Sequence, residues 1–188
     1  MMHPFYTVGH GTRSIGEFTD LLQSAEIAVV ADVRTVPRSR TNPQYNREVL
    51  PQSLAPFRIA YDHIPTLGGL RGRDPNVPPS VNAFWQNGSF HNYADYAMSE
   101  SFRTGFVHLR ELGRERRCVI MCAETLWWQC HRRIITDYLL AAGDIVFHLF
   151  EPGHIESARM NSAAQPQPAG FLTYPAEAAF GAAVPSDQ

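Results

Sequence analysis

Five short apolar runs divide the chain, and helical patterns fall between them. Phe5 to His10 is β-rich and ends in a glycine-rich turn. Ser14 and Glu17 have the spacing of a capping box, and Phe18, Leu21, Leu22 and Ala25 follow at helical intervals. Ile27 to Val33 is a continuous apolar run, the pattern of a strand buried on both faces. Residues 46–57 read as a short helix weakened by Pro51, and Ile59 to Ile64 alternates like a third strand. Asn92 to Leu112 is predicted as one longer helix, with Met98, Phe102, Phe106 and Leu109 on one stripe and Gly113 as its C-cap. Cys118 to Cys122 is a second buried strand, Cys130 to Ala142 an amphipathic helix ending at Gly143, and Ile145 to Phe150 the last strand.

Strands that alternate with helices predict a single-domain, three-layer α/β sandwich. Its sheet is mainly parallel, of about five strands, with helices on both faces. The domain is expected over residues 1–154. Residues 66–90, rich in Gly, Pro and Asn, are too long for an ordinary connection and read as a lid or binding loop. Residues 155–188, rich in Ala, Pro and Ser, read as a tail that either wraps the domain or adds little to it, and not as a second domain.

Composition narrows the class. With 44% hydrophobic and 18% charged residues, the chain is globular in character rather than disordered. No apolar run approaches the ~20 residues that span a bilayer, so no membrane partner is expected. The N-terminus lacks a basic segment leading into an apolar one, and three cysteines, an odd number, suit a reducing compartment, so the expected location is cytoplasmic. Net charge is −2, which gives no global attraction to nucleic acid. All 16 basic residues are arginine. That excludes Schiff-base, P-loop and kinase-type lysine chemistry and leaves the planar guanidinium fork, suited to phosphate or carboxylate.

Four polar clusters follow predicted strands: His10-Gly11-Thr12-Arg13 after the first, Asp32 and Arg34 with Arg38 after the second, Gly68-Gly69 with Arg71 after the third, and Cys122-Ala123-Glu124 with Cys130-His131-Arg132 after the fourth. In a parallel sheet these strand ends point one way, so the clusters converge on the edge where open α/β sheets bind ligands. The first turn offers backbone N–H groups to an anion, or is an ordinary strand-to-helix turn. Asp32 and Arg34 are two apart and share a side, as an anion-binding pair or as a buried ion pair closing the strand. Cys122, Cys130 and His131 have soft-ligand chemistry, but their spacing matches no zinc pattern, so no metal and no cofactor is expected. Cys130 at a helix N-terminus beside His131 and Arg132 has the setting of a reactive thiolate, although the Cys-x5-Arg phosphate cradle is missing: Ile135 stands at that position. Glu124 and His10 are acid/base candidates. Trp127 and Trp128 either stack on a ligand or plug the sheet edge.

Taken together, Gly9-His10-x-Thr12-Arg13, Asp32-Val33-Arg34 with Pro37-Arg38-Ser39, Asn42-Pro43-Gln44-Tyr45-Asn46, Leu67-Gly68-Gly69, and Cys122-Ala123-Glu124 with Cys130-His131-Arg132 resemble the bacterial and archaeal family catalogued as domain of unknown function 488. The resemblance spans roughly residues 5 to 150. It implies an α/β sandwich with a site built from these motifs and supplies no reaction. Gly11 stands where a Ser is usual, and Leu126-Trp127-Trp128 replace a more polar stretch.

Three functional readings follow. The first is an enzyme on a phosphate-bearing ligand, a nucleotide or nucleic acid, held by Arg13, Thr12, Asp32, Arg34, Arg38 and Arg132, with Glu124 or His10 moving protons. The second is a thiol enzyme using Cys130 or Cys122, in sulfur-transfer or phosphatase-like chemistry. The third is a sensing or interaction module without catalysis. Oligomeric state is not legible.

Overall fold

The computed structural model describes residues 3–176. Its main sheet has six strands: β1 (Phe5–Gly9), β2 (Val29–Asp32), β3 (Ala60–His63), β4 (Cys118–Cys122), β5 (Val146–Glu151) and β6 (His154–Ser157), in the order β3-β2-β4-β1-β5-β6. The first five are mutually parallel, and β6 turns back antiparallel on β5. The expected α/β sandwich is therefore present, with one strand more than the apolar runs give. β6 is exposed along its whole length and carries no hydrophobic run to mark it.

Alternation along the strands sends side chains to two cores. Tyr6, Val8, Val30, Val119 and Met121 meet α1 (Ile15–Ser24) and α2 (Leu50–Leu54) on one face. Phe5, Val29, Ala31, Cys118 and Ile120 meet α3 (Gly88–Tyr96), α4 (Glu100–Glu115) and α5 (Arg132–Ala141) on the other. The capping box of α1 is complete, with Ser14 accepting from Glu17 N and Glu17 accepting from Ser14 N.

The single helix expected over 92–112 is two. The chain leaves α3 after Tyr96, and Ser99 adopts an extended conformation and accepts from Phe102 N to start α4 afresh. A serine oxygen that caps one helix ends the run before it. Gly113 is not a cap. It lies inside α4, where a Cβ would come within 2.1 Å of the Phe5 ring, so glycine lets strand β1 press against the helix.

Beyond β6, residues 158–176 pack along the α3–α5 face. A two-stranded ladder of β7 (Gln165–Pro166) and β8 (Leu172–Thr173) leads to Tyr174, which is fully buried and donates from its hydroxyl to Asp137 of α5 at 2.9 Å. Asn161 N also donates to Asp137, at 2.8 Å. Residues 177–188 of the tail lie outside the described residues.

Candidate functional site

β1 and β4 are neighbours, yet the helices that follow them, α1 and α5, go to opposite faces. Connections that part in this way leave a crevice beyond the carboxyl ends of the strands. A cleft of about 530 Å³ lies there, lined by the ends of β2 and β4, by Cys130 and His131 before α5, by Gly69 and Leu70 of the segment after β3, and by Phe90 of α3.

Cys130 stands just before α5 in extended backbone. Its Sγ accepts from Arg132 N at 3.4 Å and from Arg132 Nε at 3.4 Å, and it faces His131 Nδ1 at 3.5 Å. His131 Nε2 lies 2.9 Å from the Val33 carbonyl oxygen, which only accepts, so Nε2 carries a proton and Nδ1 is the nitrogen that presents its lone pair to the Cys130 sulfur. The ring is held from its sides as well: Tyr93 packs edge-on at 5.0 Å, and a Cβ on Gly69 would come within 2.5 Å of Nδ1. The glycine of the Leu67-Gly68-Gly69 motif is thus the surface on which the imidazole rests.

Arg132 is 1% exposed and pairs with no carboxylate among the described residues. Its Nη2 donates to the Glu124 carbonyl, and its remaining ionic partner is sulfur. An isolated buried cation is costly, so the fold favours an anion beside it. Burial on its own pushes the Cys130 thiol up. A hydrogen bond from Cys122 and the charges of His131 and Arg132 oppose it, and the net direction is well below the ordinary thiol value. Burial, with the neighbouring Cys130, pushes Cys122 well above it. Cys118, enclosed in β4, is pushed up to about 12 by burial. A low thiol and a high thiol therefore share one cleft floor.

Arg13 and Arg34, two of the arginines expected to hold an anion, turn donors inward to protein acceptors. Arg34 grips Asp32 through Nε–Oδ1 at 2.9 Å and Nη2–Oδ2 at 2.7 Å, and donates to the Tyr45 carbonyl at 2.6 Å and to His10 Nε2 at 3.3 Å. Asp32 takes a further hydrogen bond from Tyr61 at 2.6 Å and is wholly buried. Arg13 donates to the carbonyls of Gly9 and Phe150. The N–H groups of His10 and Gly11, which the first turn was expected to offer, continue the sheet to the Cys122 and Ala123 carbonyls. Thr12 and Arg38 are exposed and form no side-chain hydrogen bond among the described residues.

His10 is also structural in its contacts. It stacks on Tyr45 at 4.0 Å, donates from Nδ1 to Gly11 O, and is held neutral, its pKa lowered to about 4 by burial with the Arg34 charge adding to it. Glu124, an acid/base candidate from the sequence, is exposed at the rim, and it is its carbonyl that bonds Arg132. The carbonyl crowds Gly9 so closely that a Cβ there would come within 1.8 Å. Trp127 turns in and stacks on His148 at 4.4 Å, while Trp128 stays at the cleft mouth. Arg133 lies over the rings of Trp85 and Phe90. Among the described residues no three His, Cys, Asp or Glu side chains form a metal-holding group, and no helix is long and apolar enough to cross a membrane.

The molecule is thus a parallel α/β domain with a cysteine–histidine–arginine cluster at the carboxyl edge of its sheet. The family model described as Domain of unknown function DUF488 matches residues 14–139, and the chain belongs to that family. Comparison with curated proteins and with solved structures returns no match.

Proposed function

We propose that the protein is a thiol-dependent enzyme in which Cys130 attacks an electrophile held in the cleft. The observation that carries this reading is the surround of one sulfur: His131 Nδ1 at 3.5 Å, with its other nitrogen fixed on Val33, and two N–H donors of a buried, carboxylate-free Arg132 at 3.4 Å. A thiolate is the nucleophilic form of cysteine, and a base oriented by a third group is the general arrangement that makes one. The α5 N-terminus adds its dipole in the same sense. His131 takes the thiol proton and returns it to the leaving group. Arg132 holds the negative charge on sulfur between turnovers.

The nucleotide or nucleic-acid reading draws less support, because the guanidinium groups of Arg13, Arg34 and Arg132 spend their donors on protein acceptors. The test is a panel of activated electrophiles, comprising an aryl phosphate, an aryl thioester, thiosulfate and an aromatic disulfide, with wild type and Cys130→Ser. Consumption of at least one compound, falling by about a hundredfold or more in the variant, is expected from loss of the ionising nucleophile. Equal consumption by both proteins across the panel would overturn the reading.

A further inference from the structure

Cys122 has no place in a one-thiol mechanism, yet it lies on the same cleft floor as Cys130. Its Sγ is 3.7 Å from the Glu124 carbonyl, the carbonyl that receives Arg132 Nη2, while Arg132 Nε reaches Cys130 Sγ at 3.4 Å. One guanidinium and one carbonyl thus bracket both sulfurs. The two thiols are also pushed in opposite directions, Cys122 up by burial and Cys130 down by the charges of His131 and Arg132 against its own burial.

The loop is poorly built for acyl or phosphoryl transfer. Those reactions need N–H groups aimed at a developing oxyanion. Here Arg132 N points at the sulfur itself, Gln129 N and Cys130 N close turns onto Leu126 and Trp127, and Arg133 N bonds the Cys130 carbonyl. Displacement at sulfur needs no such cradle: it needs a thiolate, a good leaving thiolate and access. The cleft mouth carries Val36, Leu70 and Trp128, which are 62%, 77% and 41% exposed, with Phe90 behind them. Those surfaces suit an uncharged aromatic or aliphatic group.

Resting on the thiol-enzyme reading above, we propose that Cys130 and Cys122 are the attacking and resolving thiols of a two-electron reduction of apolar organic disulfides. The Cys130 thiolate attacks one sulfur of R–S–S–R′. The Cys130–S–S–R bond forms, the substrate S–S bond breaks, and R′S⁻ leaves and takes the proton held at His131. Cys122 then attacks the Cys130 sulfur. The Cys122–Cys130 disulfide forms, and RS⁻ departs with the Cys122 proton. The substrate is reduced to two thiols, the protein dithiol is oxidised to a disulfide, and an external thiol of low molecular mass restores it.

The test is a single-turnover reaction of the reduced, native protein with excess dipyridyl disulfide, followed by intact mass and peptide mapping. Wild type is expected to release two equivalents of thiopyridone, keep no adduct and lose two hydrogens, with the new bond mapped to Cys122–Cys130. Cys122→Ser is expected to release one equivalent and retain a stable mixed disulfide on Cys130. Wild type that ends as a lasting Cys130 adduct, or with both cysteines separately modified, overturns the dithiol inference and leaves the thiol enzyme standing. A Cys130 that does not react in folded wild type removes both.

Discussion

Replacing Gly69 by alanine adds one carbon where the His131 ring now lies. The new Cβ falls 2.5 Å from Nδ1 and 2.8 Å from Cγ, whereas ordinary contact begins near 3.4 Å. The ring must retreat by the difference between 3.4 and 2.5 Å, about 0.9 Å. No such retreat preserves both of its bonds, the 2.9 Å contact to Val33 that sets the tautomer and the 3.5 Å contact to Cys130 Sγ. Gly69 has no left-handed backbone to strain, so the stability cost is that of overpacking, about 1–3 kcal/mol. A hydrogen bond to a charged group contributes about 1.5–3 kcal/mol, and one pH unit corresponds to 1.36 kcal/mol, so losing the imidazole raises the Cys130 midpoint by about one to two pH units. The assay is the rate of Cys130 alkylation by iodoacetamide against pH, with thermal unfolding run beside it to show that the variant is folded. A folded Gly69→Ala protein whose midpoint matches wild type would refute the placement of His131 as the proton acceptor.

Asp32→Ala leaves the Arg34 guanidinium buried without its carboxylate and is expected to lower the unfolding free energy by about 3–5 kcal/mol in urea titration. His10 and His148 are each lowered to about 4, mainly by burial, so the unfolded chain takes up their protons first. Their stabilising effect is present above about pH 6.5 and is lost as pH falls towards 4, and a His148→Gln variant is expected to show a flatter acid limb by thermal unfolding. Asp137 behaves in the opposite sense: burial raises it to about 6, so its effect is fully present below its unfolded value and is lost as pH rises through 6, a slope that Asp137→Asn is expected to remove. Tyr174→Phe deletes the hydroxyl that bonds Asp137 and is expected to cost about 1–3 kcal/mol, read by the same melts.

Much of this architecture is legible in the sequence because its signals are local. Apolar runs at 27–33 and 118–122 demand cover on both faces, and Ser14 with Glu17 states where α1 begins. The convergence of the post-strand clusters follows from parallel topology alone. What stays hidden depends on partners far along the chain. Nothing in Arg13, Arg34 or Arg132 tells whether a guanidinium meets solvent or a backbone carbonyl, so an arginine-rich anion site is the natural expectation and a set of inward-facing arginines is the finding. The orienting group for His131 is a main-chain carbonyl, that of Val33, and no residue type announces it. Gly69 reads as a flexible loop residue until the imidazole is seen against it. Ser99 was the available signal for dividing the 92–112 helix, and the apolar stripe that crosses it masks the break.

On the proposed function, Cys130 rests as a thiolate beside His131 and Arg132. The direct measurement is the ultraviolet thiolate absorbance of the folded protein titrated against pH, with Cys130→Ser as the blank. The expected result is a difference signal from one thiolate, already present at neutral pH and disappearing at a midpoint well below the ~8.5 of an ordinary thiol. A Cys130-dependent signal that appears only at or above that value would contradict it.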